Sequence, residues 1–159
     1  MMSVARAAAT ALAAAGAPSP ASLALIFSDD RELTELNEQH MGEDGPTDVL
    51  SFPLLPPSAF PSHPGKQSES SVGRPVEPPF QAAPRQRTHL GDIVISVERA
   101  IDQAEQGRGG QTGDVSWSAA DELLLLVVHG VLHVCGYDHA DAAENDAMRA
   151  LEKKVMGQK

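Results

Sequence analysis

The chain has 159 residues and a formal net charge of −10. That length suggests one domain with one hydrophobic core, and 42% hydrophobic with 21% charged residues fits a soluble globular fold. The acid excess argues against generic nucleic-acid binding through a uniformly basic surface. The single cysteine rules out an internal disulfide framework and suits a reducing, cytoplasmic compartment. The longest apolar run, Leu123 to Val128, is too short to span a membrane.

Met1 to Ala17 is alanine-rich with one Arg6. Small residues near Ala13-Ala14-Ala15 resemble a secretory cleavage site, but the stretch lacks a charged leading region and a Leu/Val-rich centre. Alanine is the best helix former, so a first helix is expected, ended by Pro18 and Pro20. Leu23 to Phe27 predicts a strand. Ser28 is the expected N-cap of a helix running to about His40, with Asp29, Asp30 and Glu32 in its first turn. Leu33 and Leu36 give that helix an apolar face. Gly42 to Pro46 makes a turn, and Val49 to Phe52 predicts a second strand stopped by Pro53.

Nine of the 12 prolines fall between Pro53 and Pro84. Residues 54–87 hold Pro, Ser, Gly and Gln with little periodicity, which predicts a disordered or loosely packed insertion. A structureless loop of that length is unusual within a compact domain. It carries Lys66, Arg74, Arg85 and Arg87 against Glu69 and Glu77, so the rest of the chain has a net charge of −12. Asp92 to Val97 is the third strand, its unbroken Ile93-Val94-Ile95 pointing to burial on both faces. A helix follows to about Gln106. Ser118 and Asp121 form a capping-box start for a very apolar helix through Leu123–Val128 to about Cys135, where Gly136 is the stop. Asp141 and Glu144 open the last helix, with Met148, Leu151 and Val155 on one face.

The chemistry concentrates in His129-Gly130-Val131-Leu132-His133-Val134-Cys135-Gly136-Tyr137-Asp138-His139. His129 and His133, four apart on a helix, share one face. A chain turned back at Gly136 lets His139 reach the same point. Three imidazoles leave a fourth tetrahedral position open, the layout of a catalytic zinc site; nickel, copper and iron accept the same ligands. The spacing matches the metzincin motif H-E-x-x-H-x-x-G-x-x-H, but its general-base Glu is replaced here by Gly130, which argues against peptide hydrolysis. Cys135 lies about 200° around the helix from His133 and is expected to be a buried thiol rather than a ligand. Asp138 either orients a ligand histidine or caps the turn. Tyr137 reads as packing. His40, His63 and His89 lack partners at useful spacing, although His89, just ahead of a strand, could approach a site.

His129 to His139 resembles the H-G-x-L-H-x-x-G-Y-D-H signature of the YbeY endoribonucleases. Leu36-Asn37 with Asp44 to Pro53 is similar to that family's L-N…D-x-P-T-D-V-L-S-F-P block, and Leu90 to Ser96 to its L-G-D-I-V-I-S strand. The likeness covers about residues 20 to 157 outside the Pro-rich insertion. It implies a single α/β (α+β) domain: a small mixed sheet of the four-stranded type, flanked by about five helices. It implies one zinc ion per chain held by His129, His133 and His139, and cleavage of single-stranded RNA in 16S rRNA 3′-end maturation and ribosome quality control. Zinc would lower the pKa of a water to roughly 7 and polarise a phosphoryl oxygen. The implied partners are rRNA and the small ribosomal subunit or its proteins; no DNA or membrane is expected.

Three features depart from the family. Met41 stands where many members carry an arginine thought to serve RNA binding or catalysis. The chain begins at its first helix, whereas members usually have a strand ahead of it; either the start is misassigned or the strand is missing, and a missing strand leaves an open sheet edge. The 54–87 insertion is unusually long. Because RNA phosphates need cations and residues 29–48 hold eight carboxylates against one Arg, RNA binding calls for a local basic rim, for which Arg85 and Arg87 are the candidates, or for a partner. Two rival readings are a ribosome assembly factor with a structural metal and a zinc hydrolase of another substrate.

Overall fold

The computed structural model describes residues 1–64, 86–107 and 117–157. Five helices and three strands follow one another as α1 (Val4–Ala14), β1 (Ala21–Ser28), α2 (Asp30–Met41), β2 (Val49–Pro53), β3 (Thr88–Ser96), α3 (Val97–Glu105), α4 (Ala119–Val134) and α5 (Ala142–Met156), with a 3₁₀ turn at Pro57–Ala59. The sheet order is β1-β3-β2, β1 parallel and β2 antiparallel to β3. Among the described residues the sheet thus has three strands, and nothing pairs with the outer edge of β1. Ile26 and Phe27 on that strand are exposed.

The central strand shows why its apolar run is unbroken. Ile93 and Ile95 belong to the main core with Val127, Val128 and Val131 of α4, while Val94 packs on the other face with Leu33 of α2 and Leu50 of β2. Both faces of β3 are therefore covered, as its sequence predicts. The helix α4 is the hub: it packs against α1, α3, α5, β2 and β3. Its start is the expected capping box, the Ser118 and Asp121 side chains exchanging hydrogen bonds with each other's backbone amides.

Several boundaries differ from the sequence reading: β3 runs from Thr88 to Ser96 rather than Asp92 to Val97, Val97 opens α3 instead, β1 extends beyond Leu23–Phe27 at both ends, and two helix ends shift. Ser28 remains in β1, and the cap of α2 is Asp29, whose carboxylate accepts the Glu32 amide at 2.9 Å; a carboxylate at the positive helix end outcompetes the preceding hydroxyl, which bonds to the Glu32 side chain instead. The first helix stops at Ala14, before the prolines, because the Gly16 and Ala17 amides fold back on the Ala13 and Leu12 carbonyls.

The insertion expected to be loose from residue 54 begins instead as packed chain. The Leu54 amide donates to the Leu90 carbonyl at 2.9 Å. Phe60 is buried in the main core, Pro57 lies against Gly136, and Pro61 against Gly16. The apolar residues spaced among the prolines supply anchors that periodicity does not show. Residues 65–85, and with them Arg85, lie outside the described residues.

Motif residues hold the turn before β2. The buried Asn37 donates its amide to the Gly45 carbonyl at 3.2 Å, and Asp48 accepts from Gln103 at 3.0 Å. Arg99 bonds both carboxylate oxygens of Asp30, tying α3 to α2.

Candidate metal centre

The last turns of α4 and the chain reversal after it build the site. Gly136 adopts φ +87°, a left-handed conformation that is strained for residues with a Cβ. Its amide donates to the His133 carbonyl and that of Tyr137 to the Leu132 carbonyl, the two bonds of a Schellman stop. The chain reverses, and His139 returns to the face bearing His129 and His133. His133 Nε2 lies 3.0 Å from His129 Nε2 and 3.1 Å from His139 Nε2, and one ring nitrogen of each histidine falls within 4.8 Å of the others. Two nitrogens on one tetrahedral zinc are about 3.3 Å apart for bonds near 2.0–2.1 Å, so the first two separations are close to those of a shared cation.

The partners behind the rings fix the tautomers. His133 Nδ1 is 2.9 Å from the Tyr137 carbonyl oxygen. A carbonyl only accepts, so Nδ1 carries the proton and Nε2 presents a bare lone pair. His129 Nδ1 is 2.6 Å from Glu152 Oε1, and an ionised carboxylate imposes the same polarity. Two Nε2 lone pairs then face each other at 3.0 Å, an arrangement that repels unless a cation or proton lies between them. Burial, followed by the neighbouring His129 and His139, pushes His133 down from 6.5 to about 4, keeping its imidazole neutral and able to ligate near pH 7. The donor set fits a metal ion, which the three imidazoles would hold with room for a fourth ligand if it were tetrahedral.

Gly130 explains the departure from the protease motif. A Cβ there would sit 2.7 Å from Ile93 Cγ2, 3.2 Å from Val49 Cγ2 and 3.3 Å from Ser51 Oγ. This face of α4 is pressed on the sheet, and the Ser51 hydroxyl donates to the Gly130 carbonyl at 3.0 Å. No glutamate fits at 130, so the protease's base is excluded sterically as well as by identity.

The sequence-named neighbours fall in different places. Asp138 Oδ1 accepts the His139 amide at 2.8 Å, shaping the turn, and its charge acts on the His133 ring. Cys135 is fully buried on the core side of α4, and burial pushes its thiol up to about 12. Arg87 is exposed just ahead of β3. Met41 is exposed at the end of α2. His89 joins Ser22 and Asp92 on the β1–β3 pair, and His40 meets Phe52 edge-on; neither belongs to the cluster. Sequence reasoning missed Glu152 and set His63 aside as lacking partners at useful spacing. His63 stacks on Tyr137 at 3.8 Å between ring centroids, 10° from parallel, and lies 3.7 Å from Glu144. Its aperiodic surroundings carried no signal. Glu152 sits one residue beyond the apolar Leu151, on the flank that α5 turns toward α4.

Known proteins agree on the lineage. The family model described as "Endoribonuclease YbeY" matches residues 2–159. The chain belongs to the endoribonuclease YbeY family. Curated relatives named Endoribonuclease YbeY include one from Salinispora tropica, 40% identical over 86% of this chain and 73% of the relative. Others come from Pelotomaculum thermopropionicum, 36% identical over 96% and 81%, and Chloroflexus aurantiacus, 38% identical over 96% and 82%. A solution structure of a Thermotoga maritima protein is 22% identical over 96% of this chain and 77% of that one, with a TM-score of 0.46. As a YbeY endoribonuclease the protein is an enzyme, a hydrolase acting on RNA. The histidine triad is a group that could hold a metal ion. Among the described residues, no helix is long and apolar enough to cross a membrane.

Proposed function

We propose that the protein is a zinc-dependent endoribonuclease that cuts single-stranded RNA in the 3′-end maturation of 16S rRNA, acting on the small ribosomal subunit in the cytoplasm. The observation that carries the reading is the convergence of the His129, His133 and His139 Nε2 atoms, two of them with lone pairs bared by their partners, in a chain of this family. The three imidazoles would hold the ion. When bound, zinc supplies Lewis acidity toward a phosphoryl oxygen and an acidified water. The chain's own contribution is to orient the donors, His133 through the Tyr137 carbonyl and His129 through the Glu152 carboxylate, while burial keeps His133 neutral. Neutral imidazole donors and an open coordination position favour zinc in a hydrolytic rather than a structural setting.

Substrate approach must overcome the acidity of the domain. Arg87, exposed at the start of β3, is the described candidate for an RNA rim, with Arg85 two residues before it. Phosphate contacts of this kind are salt-dependent and independent of sequence. The direct test compares matched single- and double-stranded RNAs and a 16S precursor 3′ end, with zinc-loaded protein. Cleavage confined to single strands supports the reading; equal cleavage of duplex, or turnover of peptides alone, overturns it. Charge reversal at Arg85 and Arg87 should weaken RNA binding and flatten its salt dependence, and unchanged affinity removes the rim.

A further inference from the structure

We infer that Glu152 is a positioning residue of the metal centre: from α5 it fixes the tautomer and orientation of His129 and sets how tightly the site holds its cation. The inference rests on the reading of the three histidines as metal ligands. Glu152 Oε1 is 2.6 Å from His129 Nδ1, and the two side chains are only 15% and 28% exposed. Among the described residues Glu152 has no Lys or Arg partner, although Lys153 and Lys154 follow it directly. A largely buried carboxylate with one imidazole as its ionic partner is costly unless that imidazole passes on positive charge. A cation on His129 Nε2 supplies it.

The placement is built from the fold. Asp141 caps the start of α5 by accepting the Glu144 amide at 2.8 Å. Met148 and Val155 bury themselves in the main core, with Leu151 packed against it. That seam leaves residue 152 at the edge of the contact with α4, on the ligand side. The site is therefore held from behind by two unlike acceptors, a neutral carbonyl on His133 and a charged carboxylate on His129. The charged carboxylate makes the stronger, more directional hydrogen bond to its imidazole, and loss of such an outer partner typically weakens metal affinity about 10–100-fold. Among the described residues, the His139 ring is hydrogen-bonded only to His133, so His129 is the ligand whose orientation depends most on a charged partner.

The test uses the full chain, with wild type, Glu152→Ala, Glu152→Gln and His133→Ala. Zinc and cobalt affinities are measured by chelator competition, and the His129 tautomer in metal-free protein by long-range ¹H–¹⁵N NMR. Glu152→Ala should lower zinc affinity about 10–100-fold and release His129 from the Nδ1–H tautomer. Glu152→Gln, which can still accept through its amide oxygen, should keep the tautomer and recover part of the affinity. His133→Ala should abolish tight binding. If Glu152→Ala folds, retains the tautomer and binds zinc like wild type, the inference is overturned while the metal site stands. If wild type binds no metal, the reading of the site fails, and the tautomer measurement alone decides whether Glu152 orients His129.

Discussion

Replacing Gly130 with alanine probes whether α4 must lie this close to the sheet for the histidines to converge. The added Cβ would begin 2.7 Å from Ile93 Cγ2, whereas apolar carbons settle at about 3.5–4.0 Å. The obstacle is the stiff branched side chain of a fully buried residue in the central strand, so α4 has to lift by about 0.8 Å. Overpacking of this kind costs about 1–3 kcal/mol, and the better helix propensity of alanine returns at most about 1 kcal/mol. A net loss of up to about 2 kcal/mol, once that return is subtracted, should lower the melting temperature by up to roughly 8 °C for a chain of this size. The lift also carries His129 and His133 away from His139 and Glu152, which stand on other segments. Since metal sites need their donors held within about 0.5 Å, zinc affinity should fall on the order of tenfold. Urea unfolding with chelator competition on the same preparation reads both quantities. A Gly130→Ala protein as stable as wild type, with unchanged zinc affinity, would refute the close-packing argument.

Further expectations concern the same turn. Gly136→Ala places a Cβ at φ +87°, 3.3 Å from Pro57, and should cost about 1–2 kcal/mol from the left-handed conformation alone; equal stability in urea would contradict the Schellman stop. The metal-free protein should lose stability as pH falls from about 6.5 toward 4, because His133 is held down to about 4 in the fold while its unfolded form takes up a proton at about 6.5. The loss is at most about 3 kcal/mol, is complete below pH 4, and should shrink in His133→Ala; a flat profile in that window would refute it. Cys135, with its thiol pushed up to about 12 by burial, should resist alkylation at pH 8 in the native state and react on unfolding; rapid native labelling would place it at the surface.

Much of this could be read in one dimension. The His129/His133 spacing and the Gly136 stop predict that three imidazoles meet, because helical periodicity and a left-handed glycine are local rules. The three strands and five helices likewise follow from short-range apolar patterns and caps. What was hidden depends on contacts between distant segments. Glu152 reads as one more solvated acid until α5 is packed on α4. His63 and Phe60 sit among prolines without periodicity, and only the chain's return against Gly16, Gly136 and Tyr137 shows that they are anchored. Gly130 marked the missing base in sequence, while its cause, the approach of Ile93, needed the sheet. The N-cap of α2 fell to Asp29 rather than Ser28 because adjacent capping residues compete by geometry, which composition does not resolve.

The central question is whether the histidine cluster is the seat of RNA cleavage. Metal content and cleavage of a defined single-stranded RNA should be measured on the same samples of wild type, chelator-stripped, zinc-restored and His133→Ala protein. The site's ligand set leads to an expected content of about one zinc per chain, with activity that disappears on stripping and returns with zinc, and neither metal nor activity in His133→Ala. Cleavage that persists undiminished in folded, metal-free His133→Ala protein would contradict that role for the cluster.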